Sequence, residues 1–263
     1  METKAKERDA ATLIAQHWEE GSQLHTLPEL LRPASRREGY SIQAHFEAMS
    51  AQPLFGWKIA ATSDGGQRHI GVDGPLAGRL LAERVIAADD TPSLRGNHMR
   101  VAEPEFAFRM AKSLPPQTLP YDRAKVLTAV DTLFLGIELP DSRFVDFANV
   151  GGPQLIADNA CAHQFLLGQE AAEDWRACDL SRQHVSIAVA DGIRHEGSGG
   201  AVLGDPIAAL VWLVNELRSL DITLERGHVV TTGTATIPLP IEPGHHITAD
   251  FGHLGQIQLE IAS

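Results

Sequence analysis

The spacing of apolar positions changes several times along the chain, and each change marks an element. Leu13, Ile14, His17 and Trp18 fall at helical spacing, which predicts a helix over 4–20 that Gly21 stops. Pro28 and Pro33 break residues 22–40, and Ser41 is placed as the cap of a short helix running to Met49. Residues 54–62 are apolar around Gly56-Trp57-Lys58 and read as a strand, whereas Asp64-Gly65-Gly66 and Gly71-Val72-Asp73-Gly74-Pro75 read as loop. Residues 101–110 form a strand in which Pro104 points to an edge or a bulge. A helix is predicted over 122–130, a buried strand over 132–138, and strand character at the end of 155–168. Residues 186–190 and 192–196 make a hairpin about Asp191-Gly192. The clearest helix is 206–219, with Asp205 as N-cap, Pro206 at the first helical position and a stripe of Ile207, Leu210, Val211, Val214 and Leu217. Short strands at 229–232, 247–251 and 256–261 follow. Strands outnumber helices in this half and do not alternate strictly with them, which favours α+β over a doubly wound sheet.

Composition narrows the class. The 263 residues allow one or two domains, and Ala88-Asp89-Asp90-Thr91-Pro92 divides an N-terminal α/β region, 1–90, from a larger region, 91–263. A net charge of −12 argues against nucleic acid as a partner, which needs a basic face to meet phosphates, but leaves room for a small anionic substrate in a local basic pocket. Two cysteines, Cys161 and Cys178, exclude a disulfide scaffold. The charged start shows no secretory signal, and the apolar run 208–214 is too short to span a membrane. A cytoplasmic protein with no membrane partner is expected.

The most informative stretch is Val101-Ala102-Glu103-Pro104-Glu105-Phe106-Ala107-Phe108. Residues two apart share a face of a strand, so Glu103 and Glu105 point the same way. A third acid, Glu138, sits among apolar neighbours in Leu135-Gly136-Ile137-Glu138-Leu139. Buried carboxylates are rare unless paired or metal-bound, and three together suit a hard cation such as Mg²⁺ or Mn²⁺. The alternative is that Glu103 and Glu105 form a solvated strand face. Lys58, in an apolar segment, is either an edge-strand residue or a buried cation facing an anion. Asp158 and Asn159 are compatible with a turn. Thr231-Thr232-Gly233-Thr234 offers hydroxyls and backbone amides that suit an anion. Gly197-Ser198-Gly199-Gly200 lacks both a P-loop lysine and dinucleotide spacing.

In order and spacing these stretches resemble the fumarylacetoacetate hydrolase superfamily, within it the 2-oxopent-4-enoate (2-hydroxypentadienoate) hydratases and 4-oxalocrotonate decarboxylases. The resemblance runs from Gly56-Trp57-Lys58-Ile59 through Gly71-Val72-Asp73-Gly74-Pro75, Glu103-Pro104-Glu105, Gly136-Ile137-Glu138, Asp141-Ser142-Arg143 and Ala157-Asp158-Asn159-Ala160 to Leu203-Gly204-Asp205-Pro206, Thr232-Gly233-Thr234 and Gly252-His253-Leu254-Gly255. It implies a mixed β-roll as the catalytic domain, with a smaller N-terminal α/β part. It implies that Glu103, Glu105 and Glu138 hold Mg²⁺ or Mn²⁺, and that Lys58 lies near the enolate or carboxylate of a 2-oxo acid substrate. Asp158, Cys161, Leu76 and Thr234 fall at substrate-binding positions, and a homo-oligomer is implied.

Two positions depart from the hydratase pattern. Leu76 stands where that branch carries an acid, and Cys161 where it carries a serine. These losses shift the expected reaction to C–C hydrolysis of an acylpyruvate of the maleylpyruvate or fumarylpyruvate type in aromatic ring-cleavage catabolism, giving pyruvate and a dicarboxylate. The alternatives are hydration of 2-oxopent-4-enoate, decarboxylation of 4-oxalocrotonate, or an inactive metabolite-binding homologue. His163 is nominated as general base, with His25 and His69 as substitutes. Arg32, Arg36, Arg37 and Arg68 are candidates for a distal carboxylate.

Overall fold

The computed structural model describes residues 2–87, 90–172, 174–190 and 192–263, so Ala88, Asp89 and Asp191, which figure in the expected boundary and hairpin, lie outside the described residues. Helix α1 (Glu2–Glu20) buries Ala10, Ala11, Ile14 and Trp18 in an apolar cluster with Ile42 of α2 (Arg36–Gln43) and Phe46 of α3 (His45–Met49). Ser35, not Ser41, caps α2. Its Oγ accepts from the Glu38 N–H at 3.2 Å, and Glu38 Oε2 accepts from the Ala34 N–H at 2.9 Å. This reciprocal Ser-x-x-Glu capping starts the helix more than a turn earlier than expected.

Strands β1 (Leu54–Ala60) and β2 (Leu76–Leu81) flank α4 (Asp64–His69). The expected loop at 64–66 is thus the first turn of a helix, because Ser63 Oγ accepts from the Gly66 N–H at 3.1 Å and offsets two poor helix formers. There follow β3 (Val85–Ile86), β4 (Val101–Met110), α5 (Arg123–Leu127), β5 (Val130–Leu139), α6 (Gly152–Ala157), β6 (Gln164–Glu170), β7 (His184–Val189), β8 (Arg194–Ser198), α7 (Pro206–Ser219), β9 (Val229–Thr234), β10 (Leu239–Pro240), β11 (His246–Asp250) and β12 (Gln256–Glu260).

One mixed sheet runs in the order β2-β1-β9-β4-β5-β6-β3, with β10 paired to β4, and a second in the order β12-β11-β7-β8. The first takes strands from both sides of residue 90. Pairing is parallel for β1 with β9 and for β3 with β6, and otherwise antiparallel. Phe106 meets Phe251 edge-on at 5.3 Å where the two sheets face, and α7 buries Ile207, Leu210, Leu213, Val214 and Leu217 in the same core. Strand β4 lies between β5 and β9, so Pro104 is not at an edge. The bulge is present, as a register shift between Glu105 and Ala107 against β9. The result is an α+β roll with the helices of the N-terminal part packed at one end.

Candidate active site

Strand register builds the acidic cluster. Glu103 on β4 lies directly opposite Glu138 on β5, and Glu105 shares the face of Glu103. Like charges directly opposite each other destabilise a sheet, and here one oxygen from each of the three carboxylates lies within 4.8 Å of the others. Glu105 and Glu138 are fully buried, Glu103 partly. Glu105 Oε2 is pinned by the Thr231 hydroxyl and by the Gly233 N–H at 2.7 Å. Gly233, at φ 100°, must be glycine, because a Cβ there would sit 2.3 Å from Thr62 Oγ1. Glu105 Oε1 and Glu138 Oε2 have no hydrogen-bond donor.

The cation is Lys58 of β1, 3% exposed, with Nζ 3.1 Å from Glu138 Oε1 and donating to the Ala160 carbonyl at 3.1 Å. Opposite it on β2, Gly78 leaves room for the lysine stem: a Cβ there would lie 2.4 Å from Asn159 O and 3.0 Å from Lys58 Cγ and Cδ. The carbonyl comes from an unusual turn in which Asn159, Ala160 and Cys161 are all left-handed, with φ of 55°, 50° and 61°. Side chains in this region cost about 1 kcal/mol or more each, so the turn needs clamps. Asn159 supplies one, accepting from the Arg79 N–H at 2.6 Å and donating to the Arg79 carbonyl at 2.8 Å. Asp158 supplies the other, accepting from Arg143 Nε at 2.5 Å and Ser142 Oγ at 2.7 Å.

Burial raises all three glutamates, and repulsion from neighbouring carboxylates adds to it for Glu103 and Glu105. Glu103 is pushed to about 7 by burial and by Glu138, and Glu105 lies well above the ordinary range. Glu138 is raised by burial, against the pull of Lys58. Burial disfavours the Lys58 cation, but Glu138, Glu103 and Glu105 outweigh it and hold the ammonium above an ordinary lysine. Burial also pushes the Cys161 thiol up to about 12, so it is neutral at pH 7. A hard divalent cation fits this donor set. It takes oxygen ligands, and it would occupy unpartnered carboxylate oxygens whose charge one lysine only partly offsets.

The pH dependence of the metal-free fold follows. A glutamate bound to its proton in the folded state and ionised in the unfolded one makes stability fall as pH rises. For Glu103 that window runs from about 4.5 to about 7. Metal-free protein should therefore lose melting temperature between these values, and Mn²⁺ should restore more of it at pH 8 than at pH 5. Calorimetric scans with and without chelator check this. A stabilisation by Mn²⁺ that does not grow with pH would refute a carboxylate site.

The cluster opens through Glu103 onto a cleft of about 750 Å³ that Lys58, Cys161 and Thr234 also line. Thr234 Oγ1 donates to the Thr236 carbonyl at 3.0 Å. The structure thus brings Lys58, Glu103, Glu105, Glu138, Cys161 and Thr234 together, and leaves three expected residues out. Leu76 is fully buried in the apolar core. The Asp158 carboxylate is consumed by Arg143 and Ser142 beneath the turn. His163 accepts from Trp18 Nε1 at 2.7 Å and faces a void of about 10 Å³, room for no more than a water. Burial, with Arg143 and Arg84 nearby, holds its imidazole down at about 3, so it is neither placed nor poised as a base. His69, at the end of α4, does line the cleft, its ring edge-on to Phe147 at 5.7 Å; His25 does not. None of the four nominated arginines lines it. Arg36 pairs with Glu216 at 2.9 Å, and Arg32 donates to the Leu27 carbonyl.

No family model matches the chain. It is 25% identical over 264 residues to a 2-keto-4-pentenoate hydratase of Paraburkholderia xenovorans (strain LB400), covering 99% of this chain and 97% of the relative. It is 29% identical over 205 residues to a 4-oxalocrotonate decarboxylase of Pseudomonas sp, covering 77% and 76%. Among solved structures, 4-oxalocrotonate decarboxylase from Pseudomonas putida G7, complexed with magnesium and adipate, superposes with a TM-score of 0.88 at 21% identity over 98% of this chain and 97% of that one. These relatives overturn the expectation of acylpyruvate hydrolysis. The substitutions at Leu76 and Cys161, on which it rested, are local changes within a chain that follows the hydratases and decarboxylases nearly end to end. In sequence and fold alike the chain is similar to the 2-keto-4-pentenoate hydratases and 4-oxalocrotonate decarboxylases, the branch of the fumarylacetoacetate hydrolase superfamily that its motifs resemble.

Proposed function

We propose that this chain is a divalent-metal-dependent lyase acting on a short unsaturated 2-oxo acid or its enol, and that it hydrates a substrate of the 2-oxopent-4-enoate type. The observation that carries the reading is the single buried lysine set beside three carboxylates, two of whose oxygens lack any donor. An inactive homologue would gain nothing from this arrangement, since uncompensated buried charge is costly. Glu103, Glu105 and Glu138 would hold the ion, Mg²⁺ or Mn²⁺, and the magnesium in the matched decarboxylase supports that choice. When bound, the ion supplies Lewis-acid stabilisation of negative charge on the carboxylate and 2-oxo oxygens.

The chain's own groups do the rest. Lys58, held by the Ala160 carbonyl, keeps a fixed positive charge beside the forming enolate. Cys161, a neutral thiol at the cleft wall, offers a weak hydrogen bond where a hydroxyl would offer a stronger one. His69 stands on the wall formed by α4, and histidine is the side chain suited to moving protons near neutral pH. It would pass the proton of the enol 2-hydroxyl to C5, leaving a 3-ene conjugated with the 2-oxo group, and then orient water for addition at C4 while the proton released from that water goes to C3, giving a 4-hydroxy-2-oxo acid.

Decarboxylation of 4-oxalocrotonate is the second reading, favoured by the match along nearly the whole fold of the decarboxylase. An ultraviolet assay of purified protein with Mn²⁺ separates the two. Loss of 2-hydroxypentadienoate absorbance with formation of a 4-hydroxy-2-oxo acid is expected, and carbon dioxide release from 4-oxalocrotonate would establish the second. Turnover of neither with metal present would sink both.

A further inference from the structure

We propose that the substrate carries a single carboxylate and an uncharged, apolar tail beyond C5, longer than that of 2-oxopent-4-enoate itself. The inference rests on the 2-oxo acid reading above and concerns the part of the cleft wall that the glutamates and Lys58 do not form. The cleft, at about 750 Å³, lies within the range that drug-sized ligands take, roughly 300–1,000 Å³. A five-carbon 2-oxo acid seated at the acidic cluster fills a small part of it.

Much of the remaining wall is apolar, with Ile70, Met99, Val101, Phe147, Ile237 and Pro238, and its polar groups are the hydroxyls of Thr62, Ser63 and Thr236 and the His69 ring. Lys58 is the only lysine or arginine among the described residues lining the cleft, and it is committed to Glu138 and the Ala160 carbonyl. The carboxylates on the wall are Glu103, which belongs to the acidic cluster, and Glu196, which pairs with Arg194 and lies 2.6 Å from His184 Nε2. A distal carboxylate would therefore meet hydrocarbon, Glu196, a few neutral hydroxyls and a histidine, with no lysine or arginine to pair with, and burying an unpaired charge is strongly unfavourable.

Ile237 is the exposed apolar residue of this wall. Ile237 is 72% exposed there, and its backbone is fixed from two sides: its carbonyl accepts from Thr236 Oγ1 at 2.9 Å and lies 2.9 Å from His195 Nδ1. An apolar side chain held rigidly in water at the rim of an apolar wall gains when a hydrocarbon tail covers it.

The test is calorimetric titration of the Mn²⁺-loaded full chain with three 2-oxo acids that lack the double bond and so bind without hydration: 2-oxopentanoate, 2-oxooctanoate and 2-oxohexanedioate. Burial of three further methylenes should make 2-oxooctanoate bind at least about tenfold tighter than 2-oxopentanoate. 2-Oxohexanedioate should bind at least about tenfold weaker than 2-oxopentanoate, because its distal charge finds no partner. Ile237→Lys should narrow both gaps by removing the apolar rim and adding a cation. Equal binding of the two monocarboxylates, or tighter binding of the dicarboxylate by the unaltered protein, overturns the tail alone. Failure of all three to bind overturns both this inference and the 2-oxo acid reading.

Discussion

Glu105→Gln should lower Mn²⁺ affinity and turnover by about a hundredfold or more, and at the same time raise the melting temperature of the metal-free protein. The first effect follows from how the side chain is held. The Gly233 N–H is a fixed donor at 2.7 Å from Oε2, and the Thr231 hydroxyl donates to the same oxygen. The amide nitrogen of glutamine cannot occupy that place, so it must replace Oε1, the unpartnered oxygen. A donor then points into the cluster where a ligand stood. Even changes outside the ligand sphere cost metal sites roughly 10–100-fold, and loss of a ligand should cost at least the upper end. The opposite sign for stability follows because burial and the charges of Glu138 and Glu103 all oppose ionisation of Glu105, and a neutral isostere relieves them. Titration with Mn²⁺ and melting scans of the metal-free protein measure both. Undiminished Mn²⁺ affinity would remove Glu105 from the ligand set.

The fold was legible wherever period and cap agree. α7 announces itself by Asp205, Pro206 and a clean stripe, and Asp205 does accept from the Ile207 N–H at 2.9 Å. The errors lie where a short-range hydrogen bond outweighs composition. Ser63 turns a glycine-rich stretch into α4, and Ser35 with Glu38 moves the start of α2. Pro104 shows a different limit. A proline is compatible with an interior strand if a bulge sits beside it, and nothing in the local sequence says which side of β4 is paired.

The site was legible to the extent that it depends on strand periodicity. Glu103 and Glu105 share a face because they are two apart, but their register opposite Glu138 is a long-range fact. His163 was misplaced because the chain between Cys161 and β6 is not a continuous strand. The left-handed turn at Asn159–Cys161 sends the Cys161 side chain to the cleft and His163 beneath Trp18. That turn is also the least foreseeable part of the site, since Ala160 and Cys161 are not residues that favour φ above zero. A paired signal was present in Gly78, the small residue opposite Lys58 that lets the stem reach the Ala160 carbonyl.

Lys58→Met should reduce kcat by at least about tenfold, equivalent to ~1.4 kcal/mol of transition-state stabilisation, without weakening the metal. The two effects separate because the ammonium acts on each partner with opposite sign. Toward an enolate it is attractive, and unit charges about 4 Å apart interact by roughly 4 kcal/mol where the effective dielectric is about 20, which sets the upper range of the loss. Toward a divalent cation among Glu103, Glu105 and Glu138 it is repulsive, so its removal leaves Mn²⁺ affinity equal or higher. Methionine keeps most of the stem's volume between Gly78 and the Asn159–Cys161 turn, so packing around the strand is largely retained. The metal-free variant should melt lower above pH 7, because Glu138 loses the cation 3.1 Å away and a buried carboxylate without a partner is strongly destabilising. Added Mn²⁺ should recover that loss. Steady-state kinetics at saturating Mn²⁺, together with metal titration, distinguish the roles. A variant with full kcat would show that Lys58 only balances the glutamates, and one that no longer binds Mn²⁺ would show that it organises the cluster instead of acting on the substrate.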